Sequence, residues 1–346
     1  MAALADAGLL GLHIPTRLGG HDQGLLALAV VAEELGRACS STAMCFGMHS
    51  VAAKVLTVKA TRDQEDRFLR PIAQGRHVTS LALSEPGTGV HFFLPRTTFT
   101  PDGDGYRLDG EKSFVTSGGH ADSYVISAVS PGEELDPGAF TCLAVDRDAA
   151  GLDWRQGWRG YGMRGNSSRA VKLDGVHIPV GNLLGSPGDQ IWYVFEVVAP
   201  FFLIAMAGVY VGIARAALEA AIGHMTSRRH LHTGDTLADI PTLWPEVAEA
   251  WTEVQATRQL IRYAARQYDA RAGDAQLALF AAKARVAKTV NAVTDTAMVL
   301  MGGRAYADNS RVARLHRDAR AANVMSPSTH LLQTWLGHSL LDLPLL

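Results

Sequence analysis

Apolar positions along the chain follow two different periods, and the changes between them divide it into three parts. Near the start, apolar residues recur at i, i+3, i+4, i+7 and i+10, which predicts a helix with one buried stripe. From about residue 78 to 179, short alternating runs between turn residues predict β-strands. From about residue 190 to the end the helical period returns. The stripe of the first helix consists of Leu25, Leu28, Ala29, Ala32 and Leu35.

These three parts predict the domains and the fold class. We expect an N-terminal helical domain at residues 1–77, a middle antiparallel β-domain at 78–185 and a C-terminal four-helix-type bundle at 186–346. Such a chain is an α+β protein with its strands confined to the middle. The strand candidates are 123–129, 140–145 and 170–178, together with two apolar runs joined by a hairpin turn at 101–105.

Particular residues mark the ends of individual helices. Ser and Asp side chains accept hydrogen bonds from the backbone N–H groups of a first turn, and glycine ends helices because it adopts left-handed backbone angles readily. We therefore expect a cap at Ser40 or Ser41, and a long helix opening at Pro245 and Glu246. Its expected face is Val247, Trp251, Val254, Ile261, Ala265 and Tyr268; the next helix runs from Asp274 to Gly302 and Gly303, and the last begins at Ser326 and Pro327.

Composition narrows the class of protein. The chain has 346 residues, of which 47% are hydrophobic and 19% charged, so it can bury a large core. Its net charge is −2 and its basic residues are scattered, which argues against a nucleic-acid partner. Cys39, Cys45 and Cys142 fit neither a disulfide framework nor a zinc pattern, so we expect a reducing, cytoplasmic location.

One apolar stretch raises the question of a membrane span. Residues 197–213 are almost uniformly apolar, but Pro200 and several small residues interrupt them. This pattern predicts a buried helix and no membrane partner. Because the helix is apolar on all sides, it must bury more than one face.

The stretch at 81–119 contains the clearest candidate ligand-binding motifs. Its S-E-P-G-T-G turn at 84–89 presents backbone N–H groups without bulky side chains, which suits a flat ligand with polar edges. Farther on, Phe114 and Thr116 lie two residues apart, which predicts that they share one face of a strand. A G-x-G-x-x-G sequence at 160–165 is followed by strand-like residues and not by a helix, so it does not predict a dinucleotide fold.

These motifs resemble those of the acyl-CoA dehydrogenase family, in which a T/S-E-P-G-x-G turn and a W-I-T-N strand hold the isoalloxazine ring of FAD. The G-L-L-G-L-H-I-P-T-R-L-G-G run at 8–20 and the Y-G-M-R-G-N-S-S-R loop at 161–169 resemble two further family segments, so the resemblance covers essentially the whole chain. In the family another helix precedes the first of these, so we expect the chain to begin late. The resemblance implies a flavin-dependent oxidoreductase of acyl thioesters.

The resemblance also implies which residues bind FAD. Phe114 stands where the family usually has tryptophan, and Ser328 lies on a threonine that contacts the flavin. Arg229 is expected at the FAD diphosphate, since a guanidinium suits phosphate oxygens; a solvated basic helix end is the alternative. The whole implied set is Leu83, Ser84, Gly89, Val90, Phe114, Thr116, Arg229, Gly302, Gly303 and Ser328.

The main departure from the family lies at the catalytic base. Family members remove the α-proton of the thioester with a glutamate, and Ser326 occupies its place; Phe202 occupies the position that carries the base in some members. A serine hydroxyl is too weak a base near neutral pH. His91, after the flavin-holding turn, and His330, one helical turn beyond Ser326, are the candidate replacements, since imidazole titrates in the useful range. A structural role, on the surface or in a hydrogen bond, is the alternative for each histidine and the more common one for this residue type.

Three functions remain open at this point. A dehydrogenase of acyl-CoA or acyl-carrier-protein thioesters with a relocated base agrees with the intact turn and with R-D-A-R at 317–320. A flavin-dependent monooxygenase agrees with the missing glutamate, and a non-catalytic flavin-binding relative is the third. The expected partners are a small-molecule or carrier-bound acyl substrate, an electron-transfer protein or flavin reductase, and further copies of the chain in a homodimer or homotetramer. His230 and His232 have no third ligand by spacing, so no metal site is expected.

Overall fold

The computed structural model describes residues 1–134, 136, 139–187 and 192–345, and these form two compact units. Unit 1 comprises Met1–Leu28, Met44–Arg159 and Arg164–Ala205. Unit 2 comprises Ala29–Ala43, Gly160–Met163 and Met206–Leu346. Both units therefore combine segments that are far apart in the sequence.

The N-terminal part is helical, as its apolar stripe predicts. All members of the stripe lie on one helix, and all except the half-buried Leu35 are buried. The predicted cap at Ser40 is wrong, because Ser40 is itself helical and its hydroxyl donates to the carboxylate of Asp318. The helices are α1 (Ala2–Asp6), α2 (Leu25–Ala38), α3 (Ser40–Val58), α4 (Arg62–Gln64) and α5 (Arg70–Ala73), with a π-helical segment at Glu65–Leu69.

The β-part forms two four-stranded sheets within the described residues, in the orders β1-β4-β5-β8 and β2-β3-β7-β6. Only β1 and β4 pair in parallel among these strands. The predicted strands are confirmed as β4, β5 and β7, and the hairpin as β2 and β3. The strands are β1 (Thr79–Ala82), β2 (Thr98–Asp102), β3 (Gly105–Val115), β4 (Ser123–Ala128), β5 (Thr141–Asp146), β6 (Leu152–Trp154), β7 (Arg169–Pro179) and β8 (Leu183–Leu184).

The core of the β-part lies between the inward faces of these strands. Apolar side chains at alternate positions of both sheets form one buried cluster, as expected for sheets that pack face to face. Its largest members are Phe99, Leu108, Tyr124, Ile126, Leu143, Leu173 and Ile178.

The C-terminal part is helical again. A π-helical segment at Tyr193–Val198 leads into α6, and Gly302 ends α8 with a left-handed φ of 58°, which confirms the predicted stop. The helices are α6 (Ala199–Ser227), α7 (Trp244–Asp269), α8 (Ala275–Met301), α9 (Arg311–Ala319), α10 (Ala321–Val324) and α11 (Thr329–Leu340).

The apolar helix of residues 197–213 is covered by the chain itself. Tyr193–Ser227 is long and apolar enough to cross a membrane, but 94% of its most apolar window is buried inside the structure. Glycines allow this close cover in unit 2, since a Cβ on Gly212 would collide with the Glu33 carbonyl and one on Gly208 with Ala32. The need to bury several faces therefore does not require a second copy of the chain.

Two expectations for the C-terminal helices are wrong, and a third is confirmed only in part. Trp251 is 56% exposed on α7, although Val254, Ile261 and Ala265 on the same predicted face are buried. Asp274 is the N-cap residue of α8, as predicted, but its carboxylate accepts from the side-chain amide of Gln267 at 2.7 Å and not from the first turn. The cap of α11 is likewise Ser328 and not Ser326, because the Ser328 hydroxyl accepts from the Leu331 amide at 3.3 Å.

Candidate functional site

The turn that follows β1 is open on one side. Leu83 is buried and anchors the turn, Ser84 and Val90 are half-buried, and Gly89 is exposed. Gly87 and Gly89 have φ angles of 86° and 56°, which only glycine adopts without cost. No atom lies within 4 Å of a Cβ placed on either glycine. The turn therefore presents bare backbone to any molecule that lies over it.

The end of β3 presents an aromatic ring. Phe114 has a left-handed φ of 55° at an irregularity in the β3–β7 register, and its side chain is 66% exposed. Thr116 is buried instead, and its carbonyl accepts from the Ser80 hydroxyl at 2.7 Å. The prediction that the two share one strand face is wrong, because the bulge breaks the alternation. Trp158 packs edge-to-face on Phe114 at 5.9 Å between ring centroids, a contact that no sequence signal indicated.

The fold brings the two sequence motifs together in unit 1. The amide of Ser113 donates to the Ser84 carbonyl at 2.7 Å, so the glycine turn and the residue before Phe114 are directly joined. The two motifs belong to different sheets, because the glycine turn follows β1 whereas Phe114 lies in β3. An open glycine turn beside an exposed aromatic ring fits a flat heteroaromatic ring with polar edges, as in a flavin.

His91 lies at the end of the same turn. Its amide donates to the Thr88 carbonyl at 3.0 Å, and its exposed ring packs edge-to-face on Phe93 at 5.7 Å. His91 is therefore held at the border of the turn with its imidazole in reach of solvent.

Behind the turn, Glu85 points into the protein. It forms a fully buried ion pair with Lys112 of β3. Burial disfavours the Glu85 carboxylate, but the Lys112 ammonium and the hydrogen bonds that the carboxylate accepts outweigh burial and lower the pKa of Glu85. Sequence reasoning missed both roles; the only available signal was a charged residue at an inward position of a strand.

The other candidate residues lie in unit 2, around the start of α11. Ser326 is half-buried, and His330 is exposed in the first turn of the helix. Ser328 uses its hydroxyl as the helix cap, although the resemblance implies that it contacts the flavin. The three residues are neighbours along the chain, and none of them is a carboxylate.

A buried lysine holds this segment. Lys283 of α8 donates to the carbonyls of Ala322, Met325 and Pro327 at 3.0, 3.3 and 2.9 Å. Burial lowers the pKa of Lys283 to about 8. The hydroxyl of Tyr210 lies 2.9 Å from the Met325 sulfur. Sequence reasoning missed Lys283, which fixes the backbone on both sides of Ser326.

Asp318, in the R-D-A-R segment, ties together two further parts of unit 2. Its buried carboxylate accepts from the Met163 amide at 2.7 Å and from the Ser40 hydroxyl. Asp318 is thus occupied structurally and is not a substitute for the missing base.

Of the residues expected near the FAD diphosphate, Arg229 already has a hydrogen-bond partner within the protein. Arg229 donates to the Gly234 carbonyl at 2.9 Å while remaining exposed, and Gly302 and Gly303 have open space where a side chain would stand. The rings of His230 and His232 lie 5.6 Å apart. Across the described ranges, no group of three or more His, Cys, Asp or Glu residues could hold a metal ion.

Comparisons with known proteins agree on one family. Models of the N-terminal, middle and C-terminal domains of acyl-CoA dehydrogenase match residues 1–76, 80–176 and 202–329. Cyclohex-1-ene-1-carbonyl-CoA dehydrogenase from Geobacter metallireducens is 30% identical over 97% of this chain and 88% of its own. Mitochondrial isobutyryl-CoA dehydrogenase from Dictyostelium discoideum is 27% identical over 98% of this chain and 81% of its own.

A solved structure shows the same fold. Butyryl-CoA dehydrogenase from Megasphaera elsdenii superposes with a TM-score of 0.91 at 23% identity, covering 98% of this chain and 89% of its own. The predicted order of a helical domain, a β-domain and a helical bundle is therefore confirmed.

Proposed function

The chain belongs to the acyl-CoA dehydrogenase family of FAD-dependent oxidoreductases, and we propose that it oxidises an acyl-CoA thioester with a proton acceptor other than residue 326. The resemblance found in the sequence is thereby confirmed, and FAD is the cofactor. Bound FAD supplies the hydride acceptor. By their names, the two relatives from Geobacter metallireducens and Dictyostelium discoideum act on coenzyme A thioesters of a cyclic and a branched acyl group, which supports an acyl-CoA substrate here.

The observation that carries the proposal is the junction in unit 1. The open turn at 84–89 and the exposed ring of Phe114 are joined through the Ser84–Ser113 hydrogen bond. In this proposal Gly89 and Val90 offer backbone groups to the ring edge, while Phe114 covers part of a ring face. Ser84 and Thr116 orient those groups from the side.

The base is proposed to be a histidine. His91 borders the turn of unit 1 and His330 lies in the α11 turn of unit 2, and both are exposed. Replacing the true base with alanine is expected to cost about 10²–10⁴ in turnover. His120→Ala, at another exposed histidine of unit 1, is the matched control. Full activity in both His91→Ala and His330→Ala would eliminate the histidine hypothesis. The assignment of FAD as the cofactor would not be affected by that result.

The second candidate is a flavin-dependent monooxygenase, which the serine at position 326 favours. In that case reduced flavin reacts with oxygen, and no base at the α-carbon is needed. Oxygen consumption that depends on a flavin reductase and NADH, with no anaerobic reaction with butyryl-CoA, would support this candidate over the first.

We also propose that the chain self-associates. This proposal rests on an exposed apolar groove and not on the apolar helix of residues 197–213. Ile222, Trp244 and Trp251 are 38%, 55% and 56% exposed and line an apolar groove of about 420 Å³ in unit 2. Large exposed apolar residues that cluster are typical of protein interfaces. We expect a homodimer or homotetramer by light scattering, and dissociation in Trp251→Glu but not in Glu249→Gln. A wild-type monomer at micromolar concentration would contradict this.

The cellular location remains a prediction. Cys39, Cys45 and Cys142 form no disulfide bond within the described part of the chain, which agrees with a reducing, cytoplasmic compartment. An electron-transfer protein or flavin reductase is proposed as the redox partner, since reduced flavin must be reoxidised or supplied in either candidate reaction.

A further inference from the structure

The buried carboxylate of Glu85 accepts four hydrogen bonds. One oxygen, Oε2, accepts from the Arg96 amide at 2.6 Å. The other, Oε1, accepts from the Thr97 amide at 3.1 Å, from the Thr97 hydroxyl at 2.7 Å and from the Lys112 ammonium at 2.5 Å. Four directed bonds therefore fix the glutamate that stands between Ser84 and the open Gly87–Gly89 turn.

The ammonium of Lys112 is fixed to the same degree. Its side chain has 0% exposure, and besides Glu85 it donates to the Ser127 carbonyl at 2.6 Å and the Ser127 hydroxyl at 3.0 Å. Ser127 belongs to β4, in the sheet that contains β1. The lysine therefore links both sheets to the turn, two residues before Phe114 on β3.

A buried ion pair has a high desolvation cost at this position. Two buried charges lose their hydration, and apolar residues of similar volume often stabilise a fold equally well. What an ion pair with directed hydrogen bonds adds is a unique relative position for the segments that it joins. Here those segments carry the two halves of the open surface, the glycine turn and the Phe114 ring.

We propose that the Glu85–Lys112 pair is a positioning device that sets the spacing between the glycine turn and Phe114, and thereby the affinity and electronic environment of the bound flavin. This inference rests on the flavin seat of the proposed function. Neither residue needs to touch FAD, because both are buried behind the surface that faces it. Ser113 and Ser84 are also joined directly, by the hydrogen bond from the Ser113 amide to the Ser84 carbonyl.

The test uses full-length protein and titration of FAD into the apoprotein. The double variant Glu85→Gln/Lys112→Met removes both charges together, so that neither is left buried alone. We expect its dissociation constant for FAD to rise about tenfold or more, the scale expected when a ligand contact is misplaced. The absorption fine structure and fluorescence quenching of the bound flavin should weaken with it.

A control separates positioning from stability. Gln64, also in unit 1, is 2% exposed and donates to the Gly181 and Leu183 carbonyls at 2.9 and 2.7 Å. Gln64→Leu should lower the melting temperature but leave the FAD dissociation constant within about twofold, since no contact to the turn changes. Thr97→Val removes one bond to Glu85 and keeps both charges, so it provides a milder variant that folds if the double variant does not. We expect it to weaken FAD binding about two- to fivefold.

The outcomes are distinguishable. A folded double variant, or a folded Thr97→Val variant, that binds FAD with the wild-type constant and spectrum would overturn this inference alone. Absence of FAD binding by the wild-type protein would overturn the proposed function together with it. Weakened binding and an altered flavin spectrum in both variants, with a normal spectrum in Gln64→Leu, supports the positioning role.

Discussion

Replacing Lys283 with methionine should loosen the segment around Ser326. Methionine fills a similar volume but cannot donate, so the carbonyls of Ala322, Met325 and Pro327 lose their shared partner. Leaving a buried carbonyl unpaired costs about 1–3 kcal/mol, or about 6 kcal/mol for the three.

Part of that loss is recovered, because the ammonium is costly to bury. Burial lowers the pKa of Lys283 from 10.5 to about 8, and each pKa unit corresponds to about 1.4 kcal/mol. The recovered free energy is thus about 3 kcal/mol, and the expected net loss of unfolding free energy is about 3 kcal/mol. A decrease of about 4 °C in melting temperature should accompany it, because the unfolding entropy of a chain of this length is about 0.7 kcal/mol per kelvin.

Thermal and urea unfolding of the apoprotein, followed by circular dichroism, measure this loss. Lys288→Met, at an exposed lysine on the same helix, is the control and should change stability by less than about 0.5 kcal/mol. Hydrogen exchange of the amides at 322–328 should rise in Lys283→Met but not in the control. Equal stability of the two variants would refute the reasoning.

The same variant predicts a pH dependence with a definite sign. Above pH 8 the folded protein has released the Lys283 proton, whereas the unfolded chain keeps it until about pH 10.5. Because the unfolded state binds more protons in this window, the stability of the wild type rises with pH relative to Lys283→Met. A stability difference that stays constant or shrinks between pH 8 and 10.5 would show that the ammonium is not strained by burial.

Three further predictions concern other parts of the molecule. His49 is fully buried, and burial lowers its pKa to about 4. Because the unfolded chain takes up this proton near pH 6.5, the unfolding free energy should decrease as the pH falls from 6.5 towards 4. His49→Gln should flatten that part of the pH profile measured by urea unfolding. Gly212→Ala places a methyl group against the Glu33 carbonyl and should destabilise the protein by about 1–3 kcal/mol, whereas Gly223→Ala, where a Cβ has open space, should not. Ser326→Glu should introduce or raise flavin reduction by butyryl-CoA under argon, while Asn323→Glu, at an exposed neighbour, should not; a folded, flavin-loaded Ser326→Glu that binds the thioester without any gain would contradict the residue-by-residue match at 326.

Sequence periodicity predicts the elements of this protein well, because burial alternates with a regular period within one element. The stripe on α2 and the strands β4, β5 and β7 were all predictable for this reason. The cap of α11 was not, since Ser326 and Ser328 offer the same local signal and only the backbone geometry decides between them. Phe114 and Thr116 were misplaced because one bulge shifts every following side chain.

The residues of the candidate site likewise include some that the sequence could predict and some that it could not. Its surface residues were predictable from the turn at 84–89, since glycines in a polar turn indicate an exposed backbone from the local sequence alone. The residues behind that surface were not: Glu85 and Lys112 are 27 positions apart, and their pairing depends on the packing of both sheets. Likewise, the cover over residues 197–213 comes from the chain itself, which the apolar pattern alone could not distinguish from a second copy.

The central claim is that this protein oxidises an acyl-CoA thioester through FAD although residue 326 is a serine. The most direct test is an anaerobic titration of the FAD-loaded wild-type protein with butyryl-CoA, with free coenzyme A as the control. The account predicts that the visible absorption of the oxidised flavin decreases as butyryl-CoA is added, that coenzyme A has no such effect, and that crotonyl-CoA is formed in proportion to the flavin reduced. An unchanged flavin spectrum and no enoyl product, in a protein that binds both FAD and butyryl-CoA, would contradict it.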